Sequence, residues 1–240
     1  MRSFPRSNPK KALPAFLLVC ALLLILGFRP AAAETKVDLE ASVFAIVTHK
    51  AGIGSGFAHN HLVAATEPTV TLDFDAEKPL ETRLTLEATV EKLAFDDPEL
   101  QKAWYPRVEA LGILDEAFKE IEEKERGKIR SSALGKSQLD AEAFPEISAR
   151  VLEVKEKAAK LGETEMAYEA EVEITIHGKT ARKSVPLRME KGEDGAWILE
   201  AAGPLAFSDF GIKAYSAMLG TVKNKDEIHV LVHLVTSSGE

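Results

Sequence analysis

Residues 165–189, EMAYEAEVEITIHGKTARKSVPLRM, leave this chain little choice of fold. From Met166 through Tyr168, Ala170, Val172 and Ile174 to Ile176 every even position is apolar, while Glu165, Glu169, Glu171, Glu173 and Thr175 stand at odd ones. A period of two sends the two sets to opposite faces of an extended strand, whereas a helix would scatter the glutamates round its circumference. His177-Gly178-Lys179 supplies a turn in which Gly178 is free to take positive φ, and the chain returns with Ala181, Lys183, Val185, Leu187 and Met189 on one face. A ribbon of two strands is marginal in water, so the rest of the chain must supply strands that cover this apolar face.

Several segments have that character. Ser42–His49 (SVFAIVTH) reads as a first strand, and Gly52, Gly54 and Gly56 mark a bend before a short second one around Phe57–Val63. Thr69–Asp75 and Arg83–Glu91 alternate, the first with Val70, Leu72 and Phe74 on one face, the second with Leu84, Leu86, Ala88 and Val90. Residues 145–154, Trp197–Phe207 and Ile228–Thr236 continue the pattern. Between them, Asp97-Pro98-Glu99 is a helix start with an acidic cap and proline at the first position; Pro106 interrupts that helix, and Leu111, Leu114, Phe118 and Ile121 fall at helical spacing, with Glu122–Arg126 as the solvated end. Trp104-Tyr105 reads as an anchor for this helical part. The expectation is a mainly β protein, an antiparallel barrel of about eight strands with a helical insertion over residues 97–126.

Residues 1–33 stand outside that domain. Arg2, Arg6, Lys10 and Lys11 precede an apolar run from Ala12 to Gly27, and Ala31-Ala32-Ala33 offers small residues for cleavage, the pattern of a secretory signal peptide; an uncleaved membrane anchor is the alternative. The domain is then 34–240, exported, with no stable membrane insertion after cleavage. Cys20, the only cysteine, falls in the apolar run, so the exported chain carries no disulfide. Loss of five basic residues and no acidic ones takes the net charge from −8 to −13, which excludes nucleic acid as a natural partner.

Small inward residues (Ala45, Ala88, Ala149, Ala170, Ala181, Ala201) favour a lined cavity over a solid barrel core. Alternation nominates Val70, Leu72, Phe74, Leu84, Leu86, Tyr168, Val172, Ile174, Val185, Leu187 and Phe207 as its lining. His59 and His61 share one strand face, and His49 lies near in sequence, so these three are the candidates for a metal site. His229 and His233 mark the outer, solvated face of the last strand. No G-x-S-x-G elbow or βαβ pattern supports a hydrolase, and the acid pairs Asp96-Asp97 and Asp73/Asp75 read as a helix cap and a strand end.

Three segments together resemble the YceI family of exported, lipocalin-like barrels: Leu139–Ile147 (LDAEAFPEI), Ile174–Leu187 (ITIHGKTARKSVPL) and Ser208–Ile212 (SDFGI), followed by a final strand. The match spans most of 37–236. It departs from the family where an Arg-Asp pair with a following His-Leu is expected, for which residues 95–135 hold no counterpart, and at Ala206, where a basic residue often precedes Asp-Phe-Gly. The resemblance implies a periplasmic, non-enzymatic carrier or binder of a polyisoprenoid or other long-tailed lipid, without a cofactor. A metal-binding protein or metalloenzyme built on His59 and His61, and a filled structural or stress-response barrel, are the competing readings. A homodimer is left open.

Overall fold

A computed structural model describes residues 34–53 and 58–237, with the backbone alone at Met218. Residues 1–33, Cys20 among them, and Gly54 and Gly56 lie outside the described residues. Among those described there are eleven strands and two α-helices. The strands are β1 (Val37–Ala51), β2 (Leu62–Ala65), β3 (Thr69–Asp73), β4 (Arg83–Thr89), β5 (Leu93–Phe95), β6 (Glu146–Leu161), β7 (Thr164–Ile176), β8 (Lys179–Lys191), β9 (Trp197–Ala206), β10 (Ser216–Ala217) and β11 (Val222–Thr236). The helices are α1 (Pro98–Ala110) and α2 (Glu123–Leu134). Neither helix is long and apolar enough to cross a membrane.

All pairings are antiparallel, in the order β3-β4-β6-β7-β8-β9-β11-β1-β2-β5, with β10 added beside β11. β4 and β5 are one stretch of chain bent by a single 3-10 turn at Val90–Lys92. Because β4 pairs with β6 and β5 with β2, that bend links the two ends of the path and curls the sheet into a barrel. Thr35, just ahead of β1, adds a second tie by donating its backbone N–H to the carbonyl of Leu72 on β3 at 2.8 Å.

The organising hairpin forms as its alternation requires. Ile176 pairs with Lys179, and both turn residues have positive φ, 52° at His177 and 65° at Gly178, a two-residue connection whose twist matches the flanking strands. The expectation of about eight strands is corrected to eleven among the described residues: the bend at Val90 adds β5 after β4, the short piece β10 pairs on its own, and the short second strand expected near Phe57–Val63 is found as β2.

The helical region also differs. α1 runs through Pro106, since Asp97 caps it by accepting from the N–H groups of Glu99 and Leu100, and burial of Val108 with the ion pair of Arg107 offsets the missing donor, which costs about 3 kcal/mol. It ends at Gly112, φ 67°. Leu111, Ile113, Leu114 and Ile121 then lie in irregular chain, all buried, and α2 starts where a solvated helix end was expected. Their helical spacing reflects contact with the sheet, not a helix.

Two cores result, one on each face of the sheet. Val43, Val47, Leu62, Ala64, Ala202 and Leu231 point outward and pack beneath α1 and the 111–114 segment. Trp104 joins this layer and sits against His233 with ring centroids 5.1 Å apart, so it anchors the helix. The tip of the β6–β7 hairpin reaches the same layer: Glu163 donates to the carbonyl of Ala110 at 3.0 Å, and Gly162, φ 54°, leaves no room for a Cβ, which would stand 2.2 Å from that oxygen.

Candidate functional site

The inward residues of the same strands do not close up. Phe44 and Ile46 of β1, Leu199 and Ala201 of β9, and Val230 and Val232 of β11 face a cavity of about 880 Å³. Along β11 its lining runs from Val222 and Asn224 through the alternate residues Ile228, Val230, Val232 and Leu234. The six strand steps from Ile228 to Leu234, at roughly 3.4 Å each, alone span about 20 Å. Ala88, Ala149, Ala170 and Ala201 line it, and their short side chains create the space that larger inward residues would fill.

Of the eleven residues expected to line such a space, seven do: Leu84, Leu86, Val172, Ile174, Val185, Leu187 and Phe207. The other four pack elsewhere. Leu72 is wholly buried in a cluster that also takes in Val70, Phe74 and Trp197, with the Phe74 and Trp197 rings edge to face at 5.3 Å. Val70 and Leu72 pair with Leu86 and Leu84 and share their inward face, but there they are covered by Phe44, Leu199 and Leu234 and close that part of the interior. Tyr168 packs at the margin of the cluster around Ala170 and Val185.

One end of the cavity is polar. Thr48, His59, His61, Gln138 and residues of α2 line it there, while Ile129 and Ala133 of the same helix turn an apolar side inward. In the sequence only Glu122–Arg126 reads as helical here, as a solvated end; the signal for the apolar side was the i, i+4 pair Ile129/Ala133, too short to stand out.

His61 is held rigidly. Its Nδ1 lies 2.7 Å from Oδ2 of Asp96, whose other oxygen accepts from the N–H of Leu62 at 3.1 Å and from the Gln101 amide at 3.0 Å. Asp96 is 1% exposed and takes φ 53°, which turns its side chain in toward β2. Only Asp97 of the acid pair is the helix cap. His59 stands beside His61, ring centroids 6.1 Å apart; burial and its neighbour His61 lower its pKa, and its buried Nδ1 has no hydrogen-bond partner. The third histidine does not join them. His49 follows Val43 and Val47 on the outward face, where its Nε2 meets Nδ1 of His229 at 2.8 Å. Odd and even positions of a strand face opposite ways, and that parity separates it from the cavity-lining Thr48. His229 and His233 are on the outer face as expected, but half-buried by partners instead of solvated.

Beneath α1 lies a group the sequence reading passed over. Glu200, 0% exposed, is gripped by both Nε and Nη2 of Arg107, by Nη2 of Arg188 at 3.1 Å and by Nδ1 of His233 at 3.2 Å. Burial pushes its pKa up, but the hydrogen bonds from His233 and Arg107 and the charges of Arg107 and Arg188 prevail and hold it at about 2. Its signal in the sequence was a lone carboxylate in the apolar run Trp197–Ala202. It sits on the face away from the cavity, where it docks the helix.

Comparison with known proteins agrees with this architecture. BcnA of Burkholderia cenocepacia superposes with a TM-score of 0.54 at 18% identity over 83% of this chain and 99% of its own. A polyisoprenoid binding domain from Saccharophagus degradans gives 0.48 at 8% identity, covering 87% and 99%. The YceI protein of Campylobacter jejuni gives 0.40 at 14% identity, covering 71% and 83%. No curated protein matches the chain in sequence. The model of the YceI-like domain matches residues 32–236, and the chain therefore belongs to the YceI-like domain family.

Proposed function

We propose that this protein is an exported carrier that holds an amphiphile with a long apolar tail, a polyisoprenoid or another lipid, inside the barrel. The observation that carries the reading is the cavity: about 880 Å³, lined by aliphatic and aromatic side chains over most of its length and polar at one end. At roughly 30 Å³ per water-sized group it has room for on the order of thirty such groups. Each buried methylene contributes about 0.8 kcal/mol, so ten to twenty of them offset an association cost of about 4–15 kcal/mol. Membership in the YceI-like family supports the same ligand class.

In this reading the tail touches Leu84, Leu86, Val172, Ile174, Val185, Leu187 and Phe207, and the headgroup lies against His59 and His61. An apolar tube separates tails by only about 1–3 kcal/mol per methylene, so the polar end chooses the ligand. The unpartnered Nδ1 of His59 offers a hydrogen bond that a headgroup completes. Residues 1–33 serve as the signal peptide, residues 34–240 form the domain, and the periplasm is where it works.

Titration with an environment-sensitive fluorescent amphiphile bearing a long alkyl tail tests this, with Ala201→Phe as the control that fills the lumen. Saturable one-to-one binding by the wild type, weakened at least tenfold in the variant, is the expected outcome. Equal binding by both proteins places the ligand outside the barrel and overturns the reading.

A further inference from the structure

On the outward face, away from the cavity, a second constellation forms at an irregularity in the β1–β11 pairing. Thr48 pairs with Ile228 and Lys50 with Asn224, so the single residue His49 stands opposite three residues of β11, 225–227. Glu227 and His229, two apart on β11, share one face of that strand, and the bulge sets His49 opposite 225–227, beside Glu227. Nε2 of His49 and Nδ1 of His229 are 2.8 Å apart, their rings edge to face, and one donor atom from each of His49, His229 and Glu227 lies within 4.8 Å of the others.

We propose that His49, His229 and Glu227 form a binding site for a borderline divalent cation of the zinc type. Two imidazoles and one carboxylate are the donor set that suits such an ion, whereas calcium or magnesium would demand more oxygen ligands. The distances are close to those required. With metal–ligand bonds of about 2.0–2.1 Å, tetrahedral donors stand roughly 3.4 Å apart. The histidine nitrogens must open from 2.8 Å by roughly 0.6 Å and the carboxylate must close by at most about 1.4 Å, movements within reach of side-chain rotation. His49 is buried and fixed by the strand, His229 is half-buried, and Glu227 is exposed, so three ligands come from the protein and the fourth position opens to solvent. The site spans two strands distant in sequence, and an ion there ties the first strand to the last.

Burial favours the neutral imidazoles that a metal needs: it lowers the pKa of both rings, with His229 and Lys225 adding to the effect at His49 to bring it to about 4. Without an ion, the same nitrogens share a proton in a simple hydrogen bond between strands. That is the outcome the experiment must separate from metal binding.

The test is competition for Zn²⁺ between the purified protein, stripped with a chelator, and a chromophoric indicator, with magnesium as the reference ion. One equivalent of zinc is expected, with no comparable response to magnesium. Losing an outer-sphere partner costs about 10–100-fold in affinity, and Glu227→Gln or His229→Ala, which remove a ligand, should cost no less. His59→Ala and His61→Ala, on the cavity side, should leave zinc affinity unchanged. The exposed Glu227 makes Glu227→Gln safe for folding even if His229→Ala is not. Absence of zinc binding, or binding untouched by Glu227→Gln, overturns the proposal and leaves a histidine pair that only joins two strands.

Discussion

The two faces of one sheet have been put to opposite uses. Neighbours in sequence such as Ala201 and Ala202 belong to different worlds: Ala201 lines the open cavity, and Ala202, 0% exposed, is packed beneath α1. Outside, the side chains beneath α1 pack into a buried cluster, and even a buried carboxylate, Glu200, is matched by two arginines and a histidine. Inside, aliphatic side chains meet space that a few alanines keep open. The barrel can afford an unfilled interior because a helix packed on its outer wall supplies a second core.

The sharpest break of that contrast is at Glu200. Arg107→Ala leaves a buried carboxylate short of its main partner and should cost about 3–5 kcal/mol, toward the lower end because Arg188 and His233 remain; chemical denaturation reads it. The same network gives an acid signature. Glu200 is held at about 2 against an ordinary 4.5, so its stabilising contribution is complete above about pH 4.5 and is lost as pH falls toward 2. Stability measured across that window should fall less steeply in Glu200→Gln than in the wild type.

A matched pair of substitutions compares the faces directly. Ala202→Phe overpacks the outer core and should cost about 1–3 kcal/mol. Ala201→Phe, one residue earlier, enters the cavity and should leave the melting temperature within a few degrees of wild type while weakening tail binding. Equal destabilisation by both would show that the interior is as tightly filled as the exterior. Next in size is Gly162→Ala: its Cβ would meet the carbonyl of Ala110 and its φ is left-handed, for a loss of about 1–3 kcal/mol in thermal unfolding. The smallest effect belongs to His59→Phe. Removing an unpartnered buried nitrogen should leave stability within about 0.5 kcal/mol, yet shift the preference between headgroups on the same tail, read by displacement assays.

Much of this was legible in the chain. Glutamates at alternate positions of 165–173 fixed β7, and Gly178 placed its turn, because both signals are local. The alanines announced room inside. What escaped was decided by partners far away in sequence. Pro106 ordinarily ends a helix, and the burial of Val108 with the grip of Glu200 on Arg107, 93 residues earlier, helps carry α1 past it. Strand parity assigns His49 to a face only once its neighbours are known, so its pairing with His229, 180 residues away, was hidden. Asp96 read as a cap because it adjoins Asp97, but its left-handed backbone turns it to His61. Val70, Leu72 and Phe74 alternate as lining residues would, and only the side chains packed over them, Phe44, Leu199, Leu234 and Trp197, make them a plug.

The central claim, that the interior holds a long-tailed amphiphile, is tested most directly by native mass spectrometry of the protein purified without detergent from its native cell, with solvent extraction of whatever it carries. The account predicts a discrete added mass that extracts as a polyprenyl or acyl lipid and is absent from Ala201→Phe. A bare protein mass, unchanged after incubation with a total lipid extract, would contradict it.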